Sequence, residues 1–262
     1  MEFIYRFFRR IKFSYKISSI LSDWKGFLML DVSAPVLQMC CFSLVGYYVY
    51  GADNIAKWMI GNAILISSFG AIYRVGLQLI REKSNGTLSL LVATRTRLSE
   101  IFFTSAVSSM LTSFISVIIG VVLMSIILNI SWDFIKIVSF ISVLIVAIFT
   151  SVCFGFLFSC FILISTEVQL LVNTAEKVLL IFTGANFSIT QLPIFLQKFS
   201  YCLPLTRSIE ASQKIIQGDS IFNNIHLIRM EFILGIIFLF LGTLMLRYME
   251  SLAIKKGILD ML

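Results

Sequence analysis

Residues 81–101 read Arg81-Glu82-Lys83-Ser84-Asn85-Gly86-Thr87-Leu88-Ser89-Leu90-Leu91-Val92-Ala93-Thr94-Arg95-Thr96-Arg97-Leu98-Ser99-Glu100-Ile101, and how this stretch is read decides the fold. It holds the densest charge in the middle of the chain and lies between two apolar runs, 57–80 and 101–128, each long enough to cross a bilayer. Charge at that density has to face water. Leu88, Leu91 and Val92 recur at i, i+3, i+4 spacing, with Lys83, Arg95, Arg97 and Glu100 around them. That spacing fits either a short amphipathic helix on the membrane surface, able to dock into a partner's groove, or an ordinary loop between spans.

The composition around this stretch excludes a soluble globular domain. Hydrophobic residues make up 58% of the chain and charged residues 13%, where soluble domains carry roughly 25% charged residues. The expected fold class is an all-α polytopic membrane protein. At about 20 residues per span, 262 residues leave room for six transmembrane helices with short loops and no large soluble domain. A nucleotide-hydrolysing domain then belongs to another chain. The formal charge of +7 does not point to nucleic acid, because the basic residues adjoin apolar spans instead of forming one stripe. Of the five cysteines, Cys40, Cys41, Cys153 and Cys160 lie in apolar runs and Cys202 does not; none forms a C-x-x-C pair. They read as buried thiols, not metal ligands or disulfides.

The spans fall at about 27–50, 57–80, 101–128, 134–164, 168–183 and 229–246. Residues 1–26 interleave Phe3, Ile4, Phe7 and Phe8 with Arg6, Arg9, Arg10 and Lys12, the pattern of a basic interfacial helix. Their apolar run is too short for a signal-peptide core, so the segment is expected to stay on the chain; a matrix-targeting presequence is the rival reading. Residues 27–250 then form the six-span domain and 251–262 a short tail with Lys255 and Lys256. The N-terminal segment, the Arg81 loop, Lys177 and the tail carry most of the Lys and Arg, which places both termini and the Arg81 loop in the cytoplasm.

Residues 184–228 form the one long connection on the opposite side. Leu192-Pro193 and Leu203-Pro204-Leu205-Thr206 punctuate it, and 206–217 has Ile209, Ala211, Ile215 and Ile216 amid polar positions before Gly218. This reads as a short amphipathic helix with a glycine stop. It fits either a pair of helices that re-enters the membrane under cover of other protein or a surface loop packed on the bundle.

Two motifs carry a family resemblance. Arg81-Glu82-Lys83, Gly86-Thr87-Leu88, Leu90-Leu91, Ala93-Thr94 and Glu100-Ile101 resemble the loop between the second and third spans of ABC-2-type transporter permeases, with Arg95 where family members commonly have Pro and Phe103 where they often have Lys. Gly184, Leu192-Pro193 and Pro204-Leu205-Thr206, followed by Arg207 and Glu210, resemble that family's outer re-entrant element. The resemblance implies that residues 82–98 are a coupling helix seated in a cleft of an ATP-binding subunit, with Arg81, Glu82, Gly86, Thr87, Leu88, Leu91 and Arg95 at the joint. Gly184, Pro193, Pro204 and Thr206 then shape the outer element. It also implies a dimer of ATP-binding subunits and a second permease, identical or paralogous, as partners, alongside membrane lipids and no nucleic acid.

Catalytic chemistry is not expected in this chain. It has no G-x-x-x-x-G-K-[ST] phosphate loop, G-x-S-x-G elbow or H-E-x-x-H pair. No cofactor is therefore expected here, ATP and Mg²⁺ being held by the partner subunit. No catalytic residue and no metal site is assigned, and the single His226 lacks a second ligand at metal spacing. Asp31 and Arg74 are intramembrane charges close to the cytoplasmic side; they form a pair between the first two spans or snorkel independently. Ser105, Ser109, Thr112 and Ser116 on the third span, and Ser151, Gly155 and Ser159 on the fourth, form small-residue rows suited to close helix packing or to lining a path. The expected function is the permease of an ATP-driven exporter in the cell membrane, moving a hydrophobic or amphipathic cargo such as a drug, antibiotic or antimicrobial peptide. The alternatives are export of an envelope lipid or glycan precursor and a non-transporting scaffold or receptor subunit.

Overall fold

The computed structural model describes residues 25, 29, 33–51, 55–84, 98–130, 132–164 and 167–256. Among these residues there is no strand. The chain runs through α1 (Ala34–Tyr50), α2 (Ile55–Ser84), α3 (Leu98–Ile127), α4 (Phe134–Ile164), α5 (Val168–Phe182), a 3₁₀ turn at Ile189–Gln191, α6 (Ile194–Cys202), α7 (Thr206–Ile216) and α8 (Ile221–Lys256). The fourth span falls where the apolar run places it. It starts after a tight turn in which Asn129 takes a positive φ of 51° and the Trp132 indole donates to Ser125 Oγ at 2.8 Å.

Among the described residues four helices, α2, α3, α4 and α8, are long and apolar enough to cross a membrane. α1 and α5, expected as spans from the sequence, are shorter. α1 has 17 residues, about 26 Å, and α5 has 15, about 22 Å, against a hydrocarbon core of about 30 Å. Pro35, expected inside the first span, sits in the first turn of α1, where a missing N–H costs no helical hydrogen bond.

α2 is the hub. Of its span, 72% is buried, against 28% for α8, and it packs on α1, α3, α4, α5 and α7. Its buried Ser67 and Ser68 hydroxyls donate back to Ile64 O (2.6 Å) and Leu65 O (2.7 Å), so these two are answered within the helix. α4 backs onto α2 through the row Ser151, Gly155 and Ser159, all buried. A Cβ at Gly155 would lie 3.1 Å from Ala71 O, so this row serves close packing, the means by which helices associate where lipid removes the hydrophobic drive. On its other side α4 meets α8, where Phe149 stacks on Phe232 with ring centroids 5.1 Å apart and Phe154 lies edge-on to Phe238 at 5.3 Å.

The last helix differs from the sequence expectation. It begins at Ile221, not near 229, and continues to Lys256. Asn223, Asn224 and His226 read as loop, yet Ser220 Oγ accepts from Phe222 N at 3.3 Å and Asn224 Nδ2 donates to Ser220 O at 3.2 Å, which start the helix early. The connection between α5 and α8 therefore ends at 220. Of the cysteines, Cys153 and Cys160 are buried as expected, but Cys41 and Cys202 are exposed. Cys41 stands on an outward face of α1 beside exposed Leu44 and Val45.

Candidate functional site

The connection from α5 to α8 folds back into the bundle. α5 stops at Gly184, whose φ of +82° only glycine adopts without strain, and a Cβ there would lie 2.9 Å from Ile189 Cγ1. Pro193 precedes α6 as its N-cap and is exposed, while Pro204 and Leu205 are buried between α6 and α7. α7 then ends at Gly218, again at positive φ (109°), with its N–H on Ile215 O at 3.1 Å.

The geometry gives the depth of this fold-back. α7 has 11 residues, about 16 Å of helix, and it packs along the start of α8. Glu231 lies ten residues beyond Ile221, about 15 Å down α8. The turn at Pro204 and Leu205 therefore meets α8 at Glu231, well inside the bundle. Leu205 is fully buried and holds φ at +73°, a strained conformation for a branched side chain.

Glu231 answers that turn. Its carboxylate is fully buried; Oε1 accepts from Leu205 N at 2.6 Å and Oε2 from Arg207 N at 3.3 Å. No side chain within α7 caps its N-terminus, so the first-turn donors find their acceptor on another helix. The pairing also suits the positive end of the α7 dipole. Without it, irregular backbone at this depth would leave N–H groups with neither water nor protein to accept them.

One hydrogen bond, from Asn62, and one close approach, at Gly61, hold the same unit to α2. Asn62 Nδ2 donates to Asn186 Oδ1 at 3.0 Å and to Trp58 O at 3.0 Å. Gln213 Nε2 donates to Gly184 O at 3.2 Å, and a Cβ at Gly61 would lie 2.9 Å from that nitrogen and 3.1 Å from Ala185 O. Thr206 Oγ1 donates to Ser200 O at 2.6 Å, tying α7 to α6. On the partly exposed side, Tyr201 donates to Glu210 Oε2 (3.1 Å), Lys214 bonds Glu210 Oε1 (2.7 Å), and Arg207 lies 5.4 Å from the Tyr201 ring centroid. Burial, then the Glu210 carboxylate, hold the Tyr201 phenol above its ordinary value.

Of the outer element expected from sequence, Gly184, Pro204 and Thr206 come together in this buried unit and Pro193 lies at its exposed rim. Arg81 and Glu82 occupy the last turn of α2 and their side chains are outside the described ones. Gly86, Thr87, Leu88, Leu91 and Arg95 lie outside the described residues, as do Asp31 and the Arg74 side chain. On α3, Ser109, Thr112 and Ser116 are buried with Ser113, and the hydroxyls of Ser109, Ser113 and Ser116 have no hydrogen-bond partner among the described residues. His226 is exposed, and among the described residues no group of three or more His, Cys, Asp or Glu side chains could hold a metal ion. Glu231 is the residue the sequence reading passed over. Its signal was a lone carboxylate followed by Phe232, Ile233 and Leu234 inside an apolar run.

The family model described as ABC-2 type transporter matches residues 11–216, which take in the Arg81 loop and the chain through α7. No curated protein matches the sequence.

Proposed function

This chain belongs to the ABC-2 type transporter family and is an ABC transporter permease, and from that premise we propose that it moves a hydrophobic or amphipathic cargo outward across the cell membrane. A permease of this kind works with a separate ATP-binding subunit. The observation that carries the reading is the continuity of α2. Its 30 residues run without a break from Ile55 to Ser84, about 45 Å. One end holds Gly61 and Asn62 against the fold-back unit, and the other carries Arg81 and Glu82.

ATP-driven closure of two ATP-binding subunits pushes on residues 82–98, and a rigid α2 delivers that push to the α6–α7 unit. The work is mechanical, so no catalytic group is needed in this chain. Two permease copies, identical or paralogous, enclose the path, with both termini and the Arg81 loop on the cytoplasmic side. α5 offers the hydrated face that such a path needs, since Gln169, Asn173, Thr174 and Lys177 are exposed on it. The broadly apolar outer surface of α8, with Phe232, Ile236, Ile237 and Phe240 exposed, suits lipid.

Inverted vesicles bearing the complex, loaded with ATP outside, test this with a fluorescent amphipathic cation as probe. ATP-dependent uptake into the vesicles, abolished by Glu82→Ala with the complex still assembled, is the expected result. ATP hydrolysis without probe movement would move the cargo to a lipid or glycan precursor. A complex that contains no ATPase would contradict the exporter reading and leave a scaffold.

A further inference from the structure

We propose that Glu231 is a positioning residue that locks the deep turn of the α6–α7 unit to α8, so that this unit travels with the last helix during transport. The motion part of the proposal rests on the exporter reading; the lock itself does not. Glu231 is fully buried, and its two oxygens take the N–H groups of Leu205 (2.6 Å) and Arg207 (3.3 Å). Both belong to a turn whose Leu205 is held at φ +73°. A strained, buried turn with donors aimed at one carboxylate has a single arrangement in which those donors are answered. Separating α7 from α8 leaves two N–H groups and a carboxylate unpaired away from water, whereas parting the unit from α5 breaks the Phe182–Phe199 ring contact at 5.5 Å and the neutral Gln213 Nε2 bond to Gly184 O at 3.2 Å. The α7–α8 joint is therefore the stiff one.

The rest of the joint agrees. Thr150 Oγ1 on α4 donates to the backbone oxygen of Glu231 at 3.3 Å, so the same residue is held from α4 as well. The Arg207 guanidinium sits beside the turn with its Nη1 buried and without a hydrogen-bond partner among the described residues. Among the described buried polar side chains of α8, Asn224 and Glu231, only Glu231 makes a hydrogen bond to another element.

The test uses the complete complex in nanodiscs with nitroxides on the exposed Cys202, next to the turn, and at the exposed position 248 toward the far end of α8, the other four cysteines being replaced. In the native chain the 202–248 distance is expected to be one narrow peak that ATP with vanadate leaves in place. Glu231→Gln, which offers one acceptor and turns an N–H₂ toward the other donor, is expected to lose the single peak. Glu231→Asp, which keeps both oxygens, is expected to restore much of it. A residue needed only for folding would lower the yield and leave the folded complex with the native peak, which would overturn the proposal. So would a native distance that changes with ATP. The two readings fail separately: a complex that does not hydrolyse ATP contradicts the exporter reading, while the lock is still decided by Glu231→Gln against the native distance.

Discussion

α7 carries Thr206, Ser208, Ser212 and Gln213 and buries all four, whereas the more apolar α5 buries only Val172 and Leu179 and turns Gln169, Asn173, Thr174 and Lys177 outward. Hydropathy alone would exchange their places. What separates them is that three of these four side chains find partners, the Ser208 hydroxyl alone having none among the described residues. In α7 the Thr206 and Ser212 hydroxyls reach carbonyls at 2.6 and 2.7 Å, Gln213 reaches Gly184 O, and the first-turn N–H groups reach Glu231. α5 answers Thr174 with its own Leu170 O at 2.7 Å, and Gln169 Nε2 donates to Asn173 Oδ1 at 3.4 Å along the same exposed face. A short polar helix thus packs inside the bundle when most of its polar groups are matched.

Removing the match should break that contrast most strongly. Glu231→Ala leaves the Leu205 and Arg207 N–H groups buried without an acceptor, a cost of about 2–6 kcal/mol for two such groups. Thermal unfolding in detergent should show a large loss of stability; a native unfolding temperature would mean that α7 does not depend on its cap. Gly61→Val comes next. The added side chain would meet Gln213 Nε2 and Ala185 O, close to 3 Å from a Cβ alone, so crowding should cost about 1–3 kcal/mol. Gln213→Leu removes one donor and should cost about 1 kcal/mol, read in the same assay.

The opposite behaviour is expected of α5. Thr174→Val and Lys177→Leu change exposed side chains and should move stability by no more than about 0.5 kcal/mol. They should nevertheless reduce ATP-driven probe transport, because they dry the face assigned to the path. Normal transport by both variants would place the path elsewhere, with the serine face of α3 the next place to look.

How far each feature could be read from the sequence follows its range of interaction. α4 ends and begins at punctuation that neighbours supply, Asp133 before it and the polar Ser165–Thr166 after it, and the apolar run locates it to the residue. α7 was legible for the same reason, with Pro204 before it and Gly218 after it. The family was legible because its motifs are contiguous words, Glu82 to Glu100 above all. Glu231 was not, since its acceptors serve residues 24 and 26 positions earlier and only the fold-back brings them together. The Asn62–Asn186 bond spans 124 positions and left no local trace. The early start of α8 was hidden by Asn223, Asn224 and His226, polar residues that a helix accepts when Ser220 caps it.

Under the proposed function, this permease is driven through residues 82–98 by an ATP-binding partner. Purifying the chain from its native membrane in mild detergent, by a C-terminal tag, and identifying what accompanies it tests that claim most directly, with Leu88→Asp and Glu82→Ala run beside the native chain. An ATP-binding subunit is expected with the native chain, much less of it with Leu88→Asp, and normal recovery but uncoupled transport with Glu82→Ala. A stable complex that contains no ATP-binding protein, or one that Leu88→Asp leaves intact, would contradict it.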